Sequence, residues 1–130
     1  MKLVLDTNIY TDYAEGIADV VDILAKRGRQ ISIPSIVLGE LRYGFMKGSR
    51  QQFNEDKLQQ FITTLGIKII DVNDDVARKY AIIMLSLTKK GNKIPINDVW
   101  IAACCMSTGG TLLTRDKHFD VIDQLDKILL

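Results

Sequence analysis

One histidine, two cysteines and two prolines are all that 130 residues hold of these types, and each scarcity removes a class of chemistry. With His118 as the only imidazole, a serine or cysteine nucleophile relying on a histidine base would need that one residue. No nucleophile motif accompanies it, and it reads as a surface turn residue. One histidine and two cysteines also fall short of a structural zinc site built from the usual ligands. Cys104 and Cys105 are sequence neighbours inside an apolar segment. That arrangement argues against a disulfide framework and for buried helix cysteines in a reducing cytoplasm. No apolar run approaches the ~20 residues of a membrane helix, and the N-terminus lacks the basic, apolar and small-residue succession of a secretory leader. The expected location is cytoplasmic, away from the membrane. Charge of one sign is missing too: the formal net charge is +1. Any nucleic acid must therefore be gripped by a local patch rather than by bulk charge.

What is present is an ordinary globular balance, 47% hydrophobic and 25% charged, in a length that suits one domain spanning residues 1–130. Leu3-Val4-Leu5 has no polar partner on either face, as in a central strand of a parallel sheet buried on both sides. Asp6 follows at its carboxyl end, and Thr7 and Asn8 offer oxygens to cap a helix running to about Glu15. A second helix, Asp19 to Lys26, ends near Gly28. Ile31–Ile33 is a strand stopped by Pro34, with Ser35 as N-cap of a helix from about Ile36 to Lys47. A more polar helix spans about Gln51 to Leu65 and closes at Gly66. Ile67–Val72 is a strand, and Asn73 caps a long helix with an apolar stripe at Val76, Tyr80, Met84 and Leu87, flanked by Ala77 and Ala81. A helix opening near Asn97 or Asp98 is apolar almost all round through Met106, so it should be buried between layers. Thr111–Thr114 is a strand, and Lys127–Leu130 a final edge strand. Strands alternating with helices define a three-layer α/β/α domain with a mainly parallel sheet of four to five strands.

Four carboxylates stand out. Asp6 and Asp116 follow apolar strands whose ends share one sheet edge, Asp98 opens the buried helix on that side, and Glu40 lies in the second turn of the helix after the Ile31 strand. Gathered together they would repel and raise one another's pKa. Oxygen donors of high negative charge are what a hard cation such as Mg2+ or Mn2+ requires, and such ions activate water against a phosphodiester. Each acid taken alone is as readily a cap or a surface charge. Asp74, Asp75, Asp19, Asp22, Asp120, Asp123 and Asp126 keep that plainer reading.

The segments Leu5-Asp6-Thr7-Asn8, Gly39-Glu40-Leu41-Arg42-Tyr43-Gly44, Asn97-Asp98-Val99-Trp100-Ile101-Ala102-Ala103 and Thr114-Arg115-Asp116-Lys117-His118-Phe119, in this order, resemble PIN-domain ribonucleases, especially VapC-like toxins of type II toxin–antitoxin pairs. The resemblance spans essentially the whole chain. It implies that Asp6, Glu40, Asp98 and Asp116 form the acidic metal site of an Mg2+- or Mn2+-dependent endoribonuclease, with tRNA among the candidate substrates. It also implies supporting or water-positioning roles for Thr7, Asn8, Asn97 and Thr114, a homodimer, and inhibition by a small antitoxin. Arg42, Lys47, Arg115 and Lys117 are candidates to grip RNA phosphates, while Tyr43 and Trp100 read as packing residues. The competing readings are an RNA-processing PIN nuclease without an antitoxin, an aspartate-based phosphatase, and a non-catalytic metal- or RNA-binding domain. The phosphatase would want a second aspartate at the position of Asn8.

Overall fold

A computed structural model describes residues 1–26 and 30–130; the helix end expected near Gly28 lies outside them. Five strands form one sheet: β1 (Lys2–Leu5), β2 (Gln30–Pro34), β3 (Lys68–Ile70), β4 (Thr111–Thr114) and β5 (Lys127–Leu129). Their order is β3-β2-β1-β4-β5, and every neighbouring pair is parallel. Helices α1 (Thr7–Ala14), α2 (Ala18–Ala25), α3 (Ser35–Lys47), α4 (Gln51–Leu65), α5 (Asp74–Lys90) and α6 (Ile96–Thr108) complete the three-layer α/β/α architecture, with a 3-10 turn at Lys117–Val121.

The apolar run after Lys2 explains the centre of this arrangement. Leu3, Val4 and Leu5 are fully buried, and β1 pairs with β2 on one side and β4 on the other. From β1 the chain winds outward through β2 to β3, then crosses back to place β4 against the other side of β1. Parallel α/β sheets hold their ligands in the crevice at such a reversal, outside the carboxyl ends of the strands. Here the reversal falls between β1 and β4, the strands that release Asp6 and Thr114.

The apolar α6 behaves as its composition demands. Val99, Ile101, Ala102, Ala103, Cys104 and Cys105 are all buried, and both cysteines are free thiols. Burial pushes them up to about 11 and about 12, out of the reactive range. Helix α5 packs along α6, and Trp100 is half-buried, its ring stacked on Tyr80 at 3.9 Å. Helix α6 ends at Gly109, whose φ of 68° is left-handed, and the following Gly110 fits where a Cβ would be tightly crowded. A Cβ there would stand 3.0 Å from Val4 Cγ2 and 3.3 Å from the Lys2 carbonyl oxygen.

Several local expectations differ from the structure. Asp6, not Thr7 or Asn8, caps α1, its carboxylate accepting from the Thr7 N–H. Ser35 is the first helical residue of α3 rather than its cap, because Pro34, with ψ at 142°, is the last extended residue and holds the cap position. Helix α6 likewise begins at Ile96 after Pro95, so Asn97 and Asp98 occupy its first turn. Asn73 does cap α5, its Oδ1 accepting from the Val76 N–H at 3.0 Å. On α5 the buried stripe runs through Val76, Ile83 and Leu87, and Ala77 and Ala81 face solvent. The strand expected over Ile67–Val72 is shortened to Lys68–Ile70, since it lies at the sheet edge with β2 on one side only. Tyr43 does not pack on a neighbouring helix: it is exposed, with Lys47 Nζ 4.6 Å from its ring centre.

Candidate active site

Asp6 leaves the buried end of β1 and is itself only 4% exposed. Its Oδ1 accepts from the Thr7 N–H at 2.8 Å, and its Oδ2 accepts from Thr114 Oγ1 at 2.7 Å and Asn8 Nδ2 at 3.2 Å. Thr114 is fully buried at the end of β4, and its hydroxyl oxygen also accepts from the Asp116 N–H at 2.9 Å. One hydroxyl therefore sets the spacing between the two strand ends. Asn8 closes the same loop from above, its Oδ1 accepting from the Arg115 N–H at 3.1 Å.

Glu40 reaches the crevice from α3, as its place in the second turn anticipates. Oε1 accepts from Thr7 Oγ1 at 2.6 Å, and Oε2 accepts from Asn97 Nδ2 at 3.4 Å. Asp98 enters from the first turn of α6, among the buried residues. Asp6, Glu40, Asp98 and Asp116 thus line one open cleft, together with Thr7, Asn8, Thr11 and Asp12. Thr7, Asn8, Asn97 and Thr114 each hydrogen-bond an acid of the cluster directly.

The electrostatics follow from crowding and burial. Asp98 is pushed up to about 6, first by burial, then by the charges of Asp6 and Asp116, with the His118 hydrogen bond pulling the other way. Asp6 is raised as well, chiefly by burial, against the lowering by the Thr114 hydroxyl and the Thr7 N–H. Among the described residues no buried side-chain nitrogen or oxygen lacks a hydrogen-bond partner.

His118 is exposed in the turn after β4, as it reads from the chain, but its ring reaches two of the acids that line the cleft. Its Nδ1 lies 3.2 Å from Asp116 and 3.5 Å from Asp98. Asp12 was equally unmarked. The signal available for His118 was its place two residues after a turn-capping aspartate; for Asp12, its place one helical turn beyond Asn8.

The four basic candidates have different surroundings. Arg42 makes a two-pronged contact with Glu55, at 2.9 and 3.2 Å. Arg115 bonds Asp12 through Nε and both oxygens of Asp19 through Nη2, tying the segment after β4 to α1 and α2. Lys47 leans on Tyr43, and Lys117 is exposed beside the cleft.

Comparison with known proteins follows the same outline. The PIN domain family matches residues 3–125. Ribonuclease VapC2 of Rickettsia felis is 34% identical over 130 residues, covering 96% of this chain and 95% of that protein. Ribonuclease VapC5 of Mycobacterium tuberculosis is 30% identical over 123 residues, 87% and 91% of the two chains. Among solved structures, a chain of VapBC2 from Rickettsia felis bound to a DNA fragment from its promoter superposes with a TM-score of 0.89 at 30% identity, covering 100% of this chain and 99% of that one.

Proposed function

This chain belongs to the PIN domain family, and on that premise we propose that it is a metal-dependent endoribonuclease, the toxin of a VapBC-type pair. The observation that carries the reading is the convergence of Asp6, Glu40, Asp98 and Asp116 at the β1–β4 reversal. The similarity to named VapC ribonucleases, and to a chain solved within a VapBC complex, supports both the nuclease and the antitoxin partner. A homodimer is part of the same proposal.

The donor set fits a hard divalent cation. Four carboxylates from four segments present oxygen alone, and the raised pKa values of Asp6 and Asp98, set first by burial and then by the neighbouring acids, mark charge that a cation would stabilise. Mg2+ or Mn2+ held there would supply a more acidic water and a counter-charge for the phosphodiester. The protein's own part is positioning. Thr114, Thr7 and Asn8 hold the Asp6 and Glu40 carboxylates in place, so little reorganisation is needed as charge develops on the substrate. Asn97 steadies the outer oxygen of Glu40. Lys117, exposed at the rim, is available to a phosphate. Asn8 argues against the phosphatase reading. It stands where that chemistry needs an acid, and both ends of its amide are engaged, with Asp6 and with the Arg115 N–H.

The test is cleavage of total and transfer RNA by the purified protein with Mg2+ or Mn2+, and its loss in EDTA. Asp6→Asn and Asp98→Asn should each lower the rate at least about 100-fold, the scale of losing one preorganised charged group. Undiminished cleavage by both would refute the site.

A further inference from the structure

The turn after β4 carries one side chain that an all-carboxylate site leaves without a task. Asp116 caps this turn, its Oδ1 accepting from the His118 N–H at 2.9 Å. Phe119, fully buried, anchors the turn in the core. These two constraints bring the His118 ring back toward the cleft. Its Nδ1 comes to 3.2 Å from Asp116 Oδ1 and 3.5 Å from Asp98 Oδ2, and one donor atom from each of the three residues lies within 4.8 Å of the others. Adjacent ligands of an octahedral centre with bonds of about 2.1 Å stand about 3 Å apart. His118 Nδ1 is already within about half an ångström of that spacing from each of the two carboxylate oxygens.

We propose that His118 Nδ1 is a ligand of the metal held by Asp98 and Asp116, making the centre a mixed nitrogen–oxygen site that favours Mn2+ and later transition ions over Mg2+. The proposal rests on the metal-dependent reading of the cleft. An imidazole nitrogen adds a ligand without adding negative charge, at a place already crowded with it. Mg2+ gains little from a nitrogen donor, because it keeps its waters and selects oxygen; transition ions gain more. The ring is half-exposed, so changing it leaves the core untouched.

Pulsed EPR of the Mn2+-loaded protein reads the bond directly, since a coordinated imidazole nitrogen couples to the manganese spin. The expected result is nitrogen coupling in the wild type that disappears in His118→Gln. With it, calorimetric Mn2+ affinity falls about 10-fold and Mg2+ affinity changes less than about 3-fold. His118→Asp, which returns an oxygen donor, should shift the preference back toward Mg2+. Manganese bound to the wild type without nitrogen coupling would overturn the proposal, as would equal losses for the two ions in His118→Gln. RNA cleavage by the same samples separates the two readings. Coupled manganese in a protein that leaves RNA intact refutes the nuclease and keeps the ligand, whereas cleavage with uncoupled manganese does the reverse.

Discussion

Asp98→Asn should abolish cleavage and stabilise the metal-free protein, two effects with one cause. In the folded chain Asp98 is pushed up to about 6 from the ordinary carboxylate value of 3.8. Its folded pKa is raised, so the native state binds the proton more tightly than the unfolded chain does. The stability this confers is complete below about pH 4 and is lost as pH rises through about 6. The difference of about 2.2 units corresponds to about 3 kcal/mol by pH 7. Asparagine is neutral at every pH and of similar shape, so the variant should recover about 1–3 kcal/mol at pH 7.5 in EDTA. With an unfolding entropy of about 2 cal/mol/K per residue, that is a rise in melting temperature of about 4–11 °C. At pH 4.5 the linkage leaves about a third of the gap. Thermal melts of both proteins at the two pH values, followed by circular dichroism, measure it. Excess Mn2+ should then stabilise the wild type more than the variant. A variant that melts at or below the wild type at pH 7.5 in EDTA would refute the account of Asp98 as a strained carboxylate.

Two further substitutions examine the frame around the cleft. Arg115→Ala removes the bonds to Asp12 and Asp19 and should leave the melting temperature nearly unchanged, because the pairs are partly exposed. If Arg115 positions the segment carrying Asp116, the cleavage rate drops about 10-fold while the salt dependence of RNA binding stays as it was. A shallower salt slope, by about 0.7–0.9, would instead mark a lost phosphate contact. Gly110→Ala should destabilise by about 1–3 kcal/mol in urea unfolding, since the added Cβ meets the Lys2 carbonyl, which cannot turn aside. A loss under about 0.5 kcal/mol would show that β1 and β4 adjust easily.

The fold was legible where one physical demand dominated. A short apolar run with no polar face, ended by turn formers, suits a strand buried on both sides, and a short all-round apolar helix suits a place between layers; β1 and α6 take those places. The acids were legible as a convergent group for the same reason, because parallel strands and the helices after them open on one edge. Caps were not legible, because which residue accepts from the first N–H groups depends on where the backbone leaves the extended region. Pro34 and Pro95 take the cap positions as the last residues with extended ψ, 142° and 140°, and Asp6 takes one because its carboxylate accepts from the Thr7 N–H. The partners of Arg42 and Arg115 were hidden likewise, since charge carries no address along the chain. His118 was the instructive omission. A lone histidine among polar neighbours reads as surface, and only the bond from its own N–H to Asp116 turns it toward the acids.

These features share one origin at the β1–β4 boundary. Gly110 lets β4 begin against Val4, which sets the two strand ends side by side. Thr114 then bonds Asp6 across the boundary and receives the Asp116 N–H. Asp116 in turn caps the turn that brings His118 back. A shift of β4 by one residue would turn each of its side chains to the opposite face of the sheet, removing Thr114 from Asp6 and breaking this chain of contacts at its first link. The register of a short central strand thus controls both the packing of the core and the spacing of the carboxylates. Damage to either should therefore appear in both stability and metal affinity.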